Sequence, residues 1–450
     1  MSRGRVKTIL LVLLVACCFL FAAQNWFGEG LWPQGQTPFS DTGFFSFFGE
    51  FFNRDGDQPT LSAYSALSDP EWIVVNRQGS QKEQYFSADA PYAELNALGD
   101  ELLSALFAEM NNMVAAPIEG GAESYRGMLR TQSLCFRYRT PMPVDLLGRV
   151  LSLPNASLEG IQVVQELLFL PAENSATTCT LAVVDAKTEA AMTFRFPFDP
   201  ERLRAAISRN TQEDSYLTYA FEINLGQEDT AVPLAPMTAI SLDTVELPVL
   251  SASSVTAPLT ETVLPLFGYN PNTPKRYTEA DDSQVFLDRK SSLRIASDGG
   301  VEYHSDNETN GLRLGDSTES YALLKELLNL AERIDRAAFT ENGAQLYITS
   351  DLTDLSVVTM DYVYGGRLVL PEEGHAVVAK LSAGQLIEYR QTLRNYQKTA
   401  ETSAASDVLS AIDTLLENTP AQSVTTPMDL RLLYRDRRGA ETVTAGWEVQ

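Results

Sequence analysis

The chain has 450 residues, a formal net charge of -25, 44% hydrophobic residues and 21% charged residues. That balance excludes a disordered chain and leaves room for more than one ordinary core. So strong an acidic excess repels polyanions, which excludes nucleic acid as a partner; it is also the common result of selection for solubility.

Arg3, Arg5 and Lys7 precede an apolar run from Ile9 to Ala23, beyond which stand Trp26, Phe27 and Trp32. Basic residues stay with the cytoplasm and indole rings settle at the far interface, so the pattern predicts a single-pass anchor with its N-terminus inside. About twenty residues at 1.5 Å each span roughly 30 Å, the thickness of the hydrocarbon. The expected divisions are a cytoplasmic tail at 1–7, a transmembrane helix at 8–25 and a juxtamembrane segment at 26–63. Two extracytoplasmic α+β domains follow, at 64–258 and 259–450. Two other readings of the first segment stay open: a cleaved signal peptide ending near Ala22-Ala23-Gln24, and a lipobox at Leu14-Val15-Ala16-Cys17.

In the juxtamembrane segment Phe44, Phe45, Phe47, Phe48, Phe51 and Phe52 share one side of a helical projection, opposite Ser46, Gly49 and Glu50. This suits a short amphipathic segment on the outer leaflet or on a partner's membrane helix; packing on the ectodomain is the alternative. Asn53 to Asp57 begins like a calcium loop, but Gln58 and Tyr64 stand where that loop needs its glycine and its glutamate.

Beyond residue 64 the pattern is α+β. Trp72–Asn76 reads as a strand, Tyr92 to Val114 as a helix, and Leu134, Phe136 and Tyr138 alternate with Cys135, Arg137 and Arg139 as in a half-buried strand. Thr180 to Asp185 and Met192 to Phe196 form an expected hairpin closed by Pro197 and Pro200, and a Pro/Ser/Thr-rich loop is expected near 247–262. Short antiparallel strands are expected at 284–287, 293–296 and 301–304, around an Asp298-Gly299-Gly300 turn. Ser320 to Arg336 carries a helical stripe at Leu323, Leu324, Leu327 and Leu328. A meander from Gln345 to Tyr389 is broken at Gly365-Gly366 and Ala383-Gly384. A helix through Val408, Leu409, Ile412, Leu415 and Leu416 then leads to strands at Leu430–Tyr434 and Thr442–Trp447. Hairpins with helices between them argue for mostly antiparallel sheets rather than a doubly wound nucleotide fold.

No catalytic set emerges. His304 and His375 have no second histidine at helical spacing, and no Ser-x-x-Lys, Gly-x-Ser-x-Gly, phosphate loop or dinucleotide fingerprint is present. Asp298, Glu302, His304 and Asp306 form the one metal-like grouping, although oxygen-rich turns are usually just solvated. Cys135 and Cys179 lie in strand-like stretches, either bridged or as two buried thiols. No cofactor, metal site or enzymatic activity is expected.

The order of residues resembles the YycH/YycI family of two-component regulatory proteins. The resemblance rests on Lys7-Thr8-Ile9-Leu10-Leu11, Asp69-Pro70-Glu71-Trp72-Ile73-Val74-Val75, Leu293-Arg294-Ile295 with Asp298-Gly299-Gly300-Val301-Glu302-Tyr303, and Tyr362-Val363-Tyr364-Gly365-Gly366. Ala376-Val377-Val378, Ile387-Glu388-Tyr389 and Gly446-Trp447-Glu448 continue it. It implies one membrane helix, a multi-domain extracytoplasmic part with a YycI-like second half, and association with the sensor histidine kinase of a cell-wall two-component system. A YycI-like sister protein is a further implied partner. On this resemblance the anchor is the partner-binding element, where the small residues Ala16, Ala22 and Ala23, flanked by Trp26 and Phe27, admit a neighbouring helix. A cell-envelope binding lipoprotein or a cell-wall-modifying enzyme is the alternative.

Overall fold

A computed structural model describes residue 67 and residues 69–449, apart from 78–80, 109–112, 154–155, 173, 210–216, 220–221, 223–238, 242–244, 256–258, 271–274, 316–318, 373, 406–407, 409 and 413–429. The expected anchor, the phenylalanine cluster and most of the helix expected around 408–416 lie outside these residues. Thr60–Gln450 forms one compact unit. No helix among the described residues is long and apolar enough to cross a membrane. The fold is mixed α+β with mostly antiparallel sheets, as expected.

The first elements are β1 (Trp72–Asn76), β2 (Lys82–Tyr85), α1 (Tyr92–Ala108), β3 (Val114–Pro117), α2 (Gly121–Met128), β4 (Ser133–Pro143) and α3 (Val144–Val150). They continue through β5 (Val163–Pro171), β6 (Thr178–Val184), β7 (Ala191–Pro197), α4 (Pro200–Arg209), β8 (Leu217–Tyr219) and β9 (Ala239–Ser241). Seven strands form a sheet in the order β2-β1-β4-β5-β6-β7-β3, and β8 pairs with β9 apart from it. The expected hairpin is present as β6 and β7.

The helix from Tyr92 is described through Ala108, and Val114 opens an edge strand instead of ending the helix. Pro200 starts α4 rather than closing the unit: a proline lacks the N–H that a first helical turn cannot use, and the Asp199 carboxylate accepts the Glu201 N–H at 3.0 Å. Strand β4 is not half-buried, because Ser133 to Thr140 are all buried. Leu134 and Phe136 meet α1 through Leu95, Leu98, Leu102 and Leu106 in the main core. Cys135 packs on the other side with Trp72, Val74, Leu168, Tyr125 and Leu129. Helix α1 lies so close to the sheet that a Cβ at Gly99 would stand 2.6 Å from the Phe136 ring.

The remaining elements are β10 (Glu246–Ser254), α5 (Thr260–Leu266), β11 (Lys275–Thr278), β12 (Gln284–Leu287), β13 (Ser291–Ile295), β14 (Val301–Ser305), β15 (Leu312–Arg313), α6 (Ser320–Ala338) and β16 (Gln345–Ile348). Then come β17 (Val357–Tyr364), β18 (Arg367–Pro371), β19 (Val377–Ser382), β20 (Gln385–Gln391), β21 (Arg394–Ala404), β22 (Leu430–Asp436), β23 (Thr442–Val443) and β24 (Ala445–Val449). Within the loop expected at 247–262, residues 247–254 are strand and 260–262 start a helix. Twelve strands form a sheet whose path runs β11-β12-β13-β14-β20-β19-β17-β18-β22-β24, with β15 on β20 and β16 on β17. Its pairs are antiparallel except β18 with β22. Helix α6 buries Leu323, Leu324, Leu327, Leu328, Ala331 and Ile334 along one stripe, each larger side chain contributing about 1.5–3 kcal/mol.

Strand β10, before the expected boundary at 258, pairs with β21 and β23 beyond it. One apolar core runs from Leu67 to Val443. A buried ion pair fastens this region: Arg394 donates Nε and Nη2 to Asp436 at 2.8 and 3.0 Å, and the Tyr396 hydroxyl donates to the same carboxylate at 2.8 Å. Arg394 also donates to Ser254 Oγ and the Ala440 carbonyl. Removing one partner leaves the other charge buried and unpaired, so Asp436→Ala is expected to cost about 3–5 kcal/mol in urea unfolding. Asp436→Leu combined with Arg394→Met should cost less than Asp436→Ala alone.

Candidate functional site

A cavity of about 790 Å³ opens where the β2 end of the first sheet meets the β22–β24 end of the second. Its wall is built from alternation and turn geometry. On β4, Arg137 shares the face of Cys135, so the second cover of the sheet buries a guanidinium. That group is compensated within a cross-strand row: Trp72 pairs with Arg137, Arg137 pairs with Glu166, the guanidinium lies 5.7 Å from the Trp72 ring, and Nη1 is 3.2 Å from Glu166. Arg139, two residues on, lies 4.8 Å from the Tyr347 ring and 3.7 Å from Glu71. Arg431 of β22 approaches the same Glu71 carboxylate at 3.4 Å.

The opposite wall comes from the β17–β18 hairpin. Gly365 and Gly366 form its two-residue turn with φ of +56° and +84°, the left-handed pair that such a hairpin requires. A Cβ on Gly366 would lie 2.7 Å from Phe86 Cβ and 3.0 Å from the Ser87 nitrogen. This close approach carries the next residue, Arg367, onto the Phe86 ring at 4.0 Å. Burial pushes the Arg367 pKa down while Asp89 nearby opposes the shift. Asp89 itself accepts the Phe86 N–H at 2.7 Å. The cavity is thus lined by Arg137, Arg209, Arg367 and Arg431 against two carboxylates, Glu71 and Asp89, with Trp72 and Trp447 beside them.

The residues singled out from the sequence fall elsewhere. Ala16, Ala22, Ala23, Trp26 and Phe27, like Phe44, Phe45, Phe47, Phe48, Phe51 and Phe52, lie outside the described residues. Glu302, His304 and Asp306 are exposed, on one side of β14 and its end, and Glu302 and His304 each face another side chain. Glu302 is 3.6 Å from Arg294, His304 is 3.8 Å from Glu388, and Asp298 is 3.9 Å from Arg438. Among the described residues no three His, Cys, Asp or Glu side chains are placed to share a metal ion. Cys135 and Cys179 are free and buried.

His375 holds a specific position: its Nδ1 is 2.7 Å from Asp361 Oδ2, and the Ala376 N–H donates to the other oxygen of that buried carboxylate at 2.9 Å. The bond to Asp361 raises the His375 pKa above its ordinary 6.5, against partial desolvation. The arginine cleft has no motif in the sequence. Its one visible trace is arginine alternating with apolar residues through Cys135-Phe136-Arg137-Tyr138-Arg139.

No family model matches the chain, and no curated protein matches it. Among solved structures it is similar to YycH from Bacillus subtilis, with a TM-score of 0.55 and 12% identity, over 86% of this chain and 94% of that one. The resemblance read from the sequence therefore holds for the fold.

Two outcomes test this geometry. Gly366→Ala is expected to destabilise by about 1–3 kcal/mol and displace Phe86. Gly365→Ala, whose added Cβ meets Ala88 at 3.5 Å, should cost less; chemical denaturation compares them. A raised histidine pKa stabilises the fold fully below the ordinary value and fades as pH rises through the folded-state value. The stability difference between the native chain and His375→Asn should therefore shrink as pH rises past 6.5, and an NMR titration of His375 should place its midpoint above that value.

Proposed function

We propose that the protein is a membrane-anchored extracytoplasmic regulator of a sensor histidine kinase controlling cell-wall homeostasis, acting by protein contact and not as an enzyme. The observation that carries this reading is the YycH-like fold across most of the chain. The basic and aromatic flanks of the Ile9–Ala23 run support a cytoplasmic N-terminus and an outer ectodomain.

On this reading the anchor packs against the kinase's own spans and biases its active and inactive arrangements through differential contact, with Ala16, Ala22 and Ala23 admitting the neighbouring helix and Trp26 and Phe27 setting its depth. The rows of phenylalanines at 44–52 would rest at the outer leaflet beside it. A coupling of about 1–2 kcal/mol suffices to change kinase output severalfold. A YycI-like sister protein would share the same membrane contact.

Crosslinking and pull-down from intact membranes test this, comparing the native chain with one whose residues 8–25 are replaced by an unrelated spanning helix. A sensor kinase should be recovered with the native anchor and lost with the replacement. Recovery of no kinase with either chain overturns the proposal.

A further inference from the structure

Arg367 is the cleft residue whose charge is left over. Arg137 has Glu166, Arg209 has Glu94 and Arg431 has Glu71. Arg367 meets no carboxylate at ion-pair distance among the described residues. Its Nη1 reaches the Gly365 carbonyl at 3.4 Å, and its buried Nε has no hydrogen-bond partner. Guanidinium stays charged in proteins, so a half-buried one with Asp89 nearby but no carboxylate at ion-pair distance bears a desolvation cost that a bound oxyanion would offset. The group is also oriented, because stacking on Phe86 at 4.0 Å fixes the plane of its fork.

We propose that the cleft binds an extended acidic peptide, one carboxylate of which pairs with Arg367. The cavity volume of about 790 Å³ falls within the range of built ligand sites. Its lining combines the guanidinium with Pro91, Leu432 and Trp447, so apolar side chains flanking a carboxylate have surfaces to cover. Trp447 belongs to β24, the last strand on the path of the twelve-stranded sheet, and a terminal strand offers main-chain groups to an added segment. Inorganic phosphate would use the fork but neither the apolar wall nor the strand edge. The chain's net charge of -25 would exclude acidic segments from most of its surface, which makes this cleft selective. The inference stands on the cleft alone and is independent of the kinase reading.

The test uses the full chain in detergent micelles with Trp26→Phe and Trp32→Phe, leaving Trp72 and Trp447, both in the cleft, as the fluorophores. It is titrated with acetyl-Leu-Glu-Leu-Glu-Leu amide, with the glutamine counterpart of that peptide, and with inorganic phosphate. The acidic peptide should give a saturable change in emission that weakens with added salt. The glutamine peptide, phosphate, and the acidic peptide on Arg367→Gln should each bind about tenfold or more weakly. Arg367→Met keeps an unbranched stem over Phe86 and replaces Arg367→Gln if circular dichroism shows the latter misfolded. No saturable change, equal affinity for the glutamine peptide, or binding unaffected by loss of the guanidinium overturns the proposal. Phosphate binding as tightly as the acidic peptide overturns the peptide assignment.

Discussion

A strand buried on both faces has to be covered twice, and much of this molecule follows from the burial of β4 in that way. The seven-stranded sheet takes α1 and the main core on one side and a second apolar layer around Trp72, Cys135 and Tyr125 on the other. Every alternate residue of β4 is then committed to an interior, whatever its chemistry. Arg137 and Arg139 are the consequence. Burying a guanidinium costs several kcal/mol unless carboxylates and rings surround it. Glu166, Glu71, Trp72 and Tyr347 supply that surround. Through Glu71 and Arg431 the compensation reaches the second sheet, so the charges buried by the first sheet help define the cleft between the two.

The parts legible in the sequence are those where one face stays exposed. Strands β13 and β14 keep their alternation and the Asp298-Gly299-Gly300 turn between them, with Val301, Tyr303 and Ser305 buried and Glu302 and His304 exposed. Helix α6 announces itself by four leucines on one stripe. Where the period is broken the signal fails. In β10, Leu247, Val249 and Leu250 do not alternate, because the pairing with β21 shifts register between Pro248 and Leu250, and a strand with an irregularity reads as a Pro/Ser/Thr loop. A helical period near Val114 does not say where the helix stops. Pro200 signals a boundary in either direction, and only the cap from Asp199 shows that it opens one.

The cleft was illegible for a different reason. Glu71, Arg137, Arg209, Arg367 and Arg431 come from five separate elements or their ends, and no spacing relates them. Each taken alone is an ordinary surface or strand residue. What brings them together is the docking of two sheets at a turn that needs glycine, and docking leaves its trace in side-chain volumes rather than in periodicity.

Cys135 and Cys179 sit in different layers of the same sheet: the first packs with Trp72 and Val74, the second with Leu181 and Val183 in the main core. A sheet therefore stands between the two sulfurs, and burial pushes both thiols up, Cys179 to about 12. Neither thiol can react until its own layer opens. The chain thus carries two natural reporters, one per face, whose alkylation rates would separate local breathing of the α1 side from that of the α2 side without any foreign label.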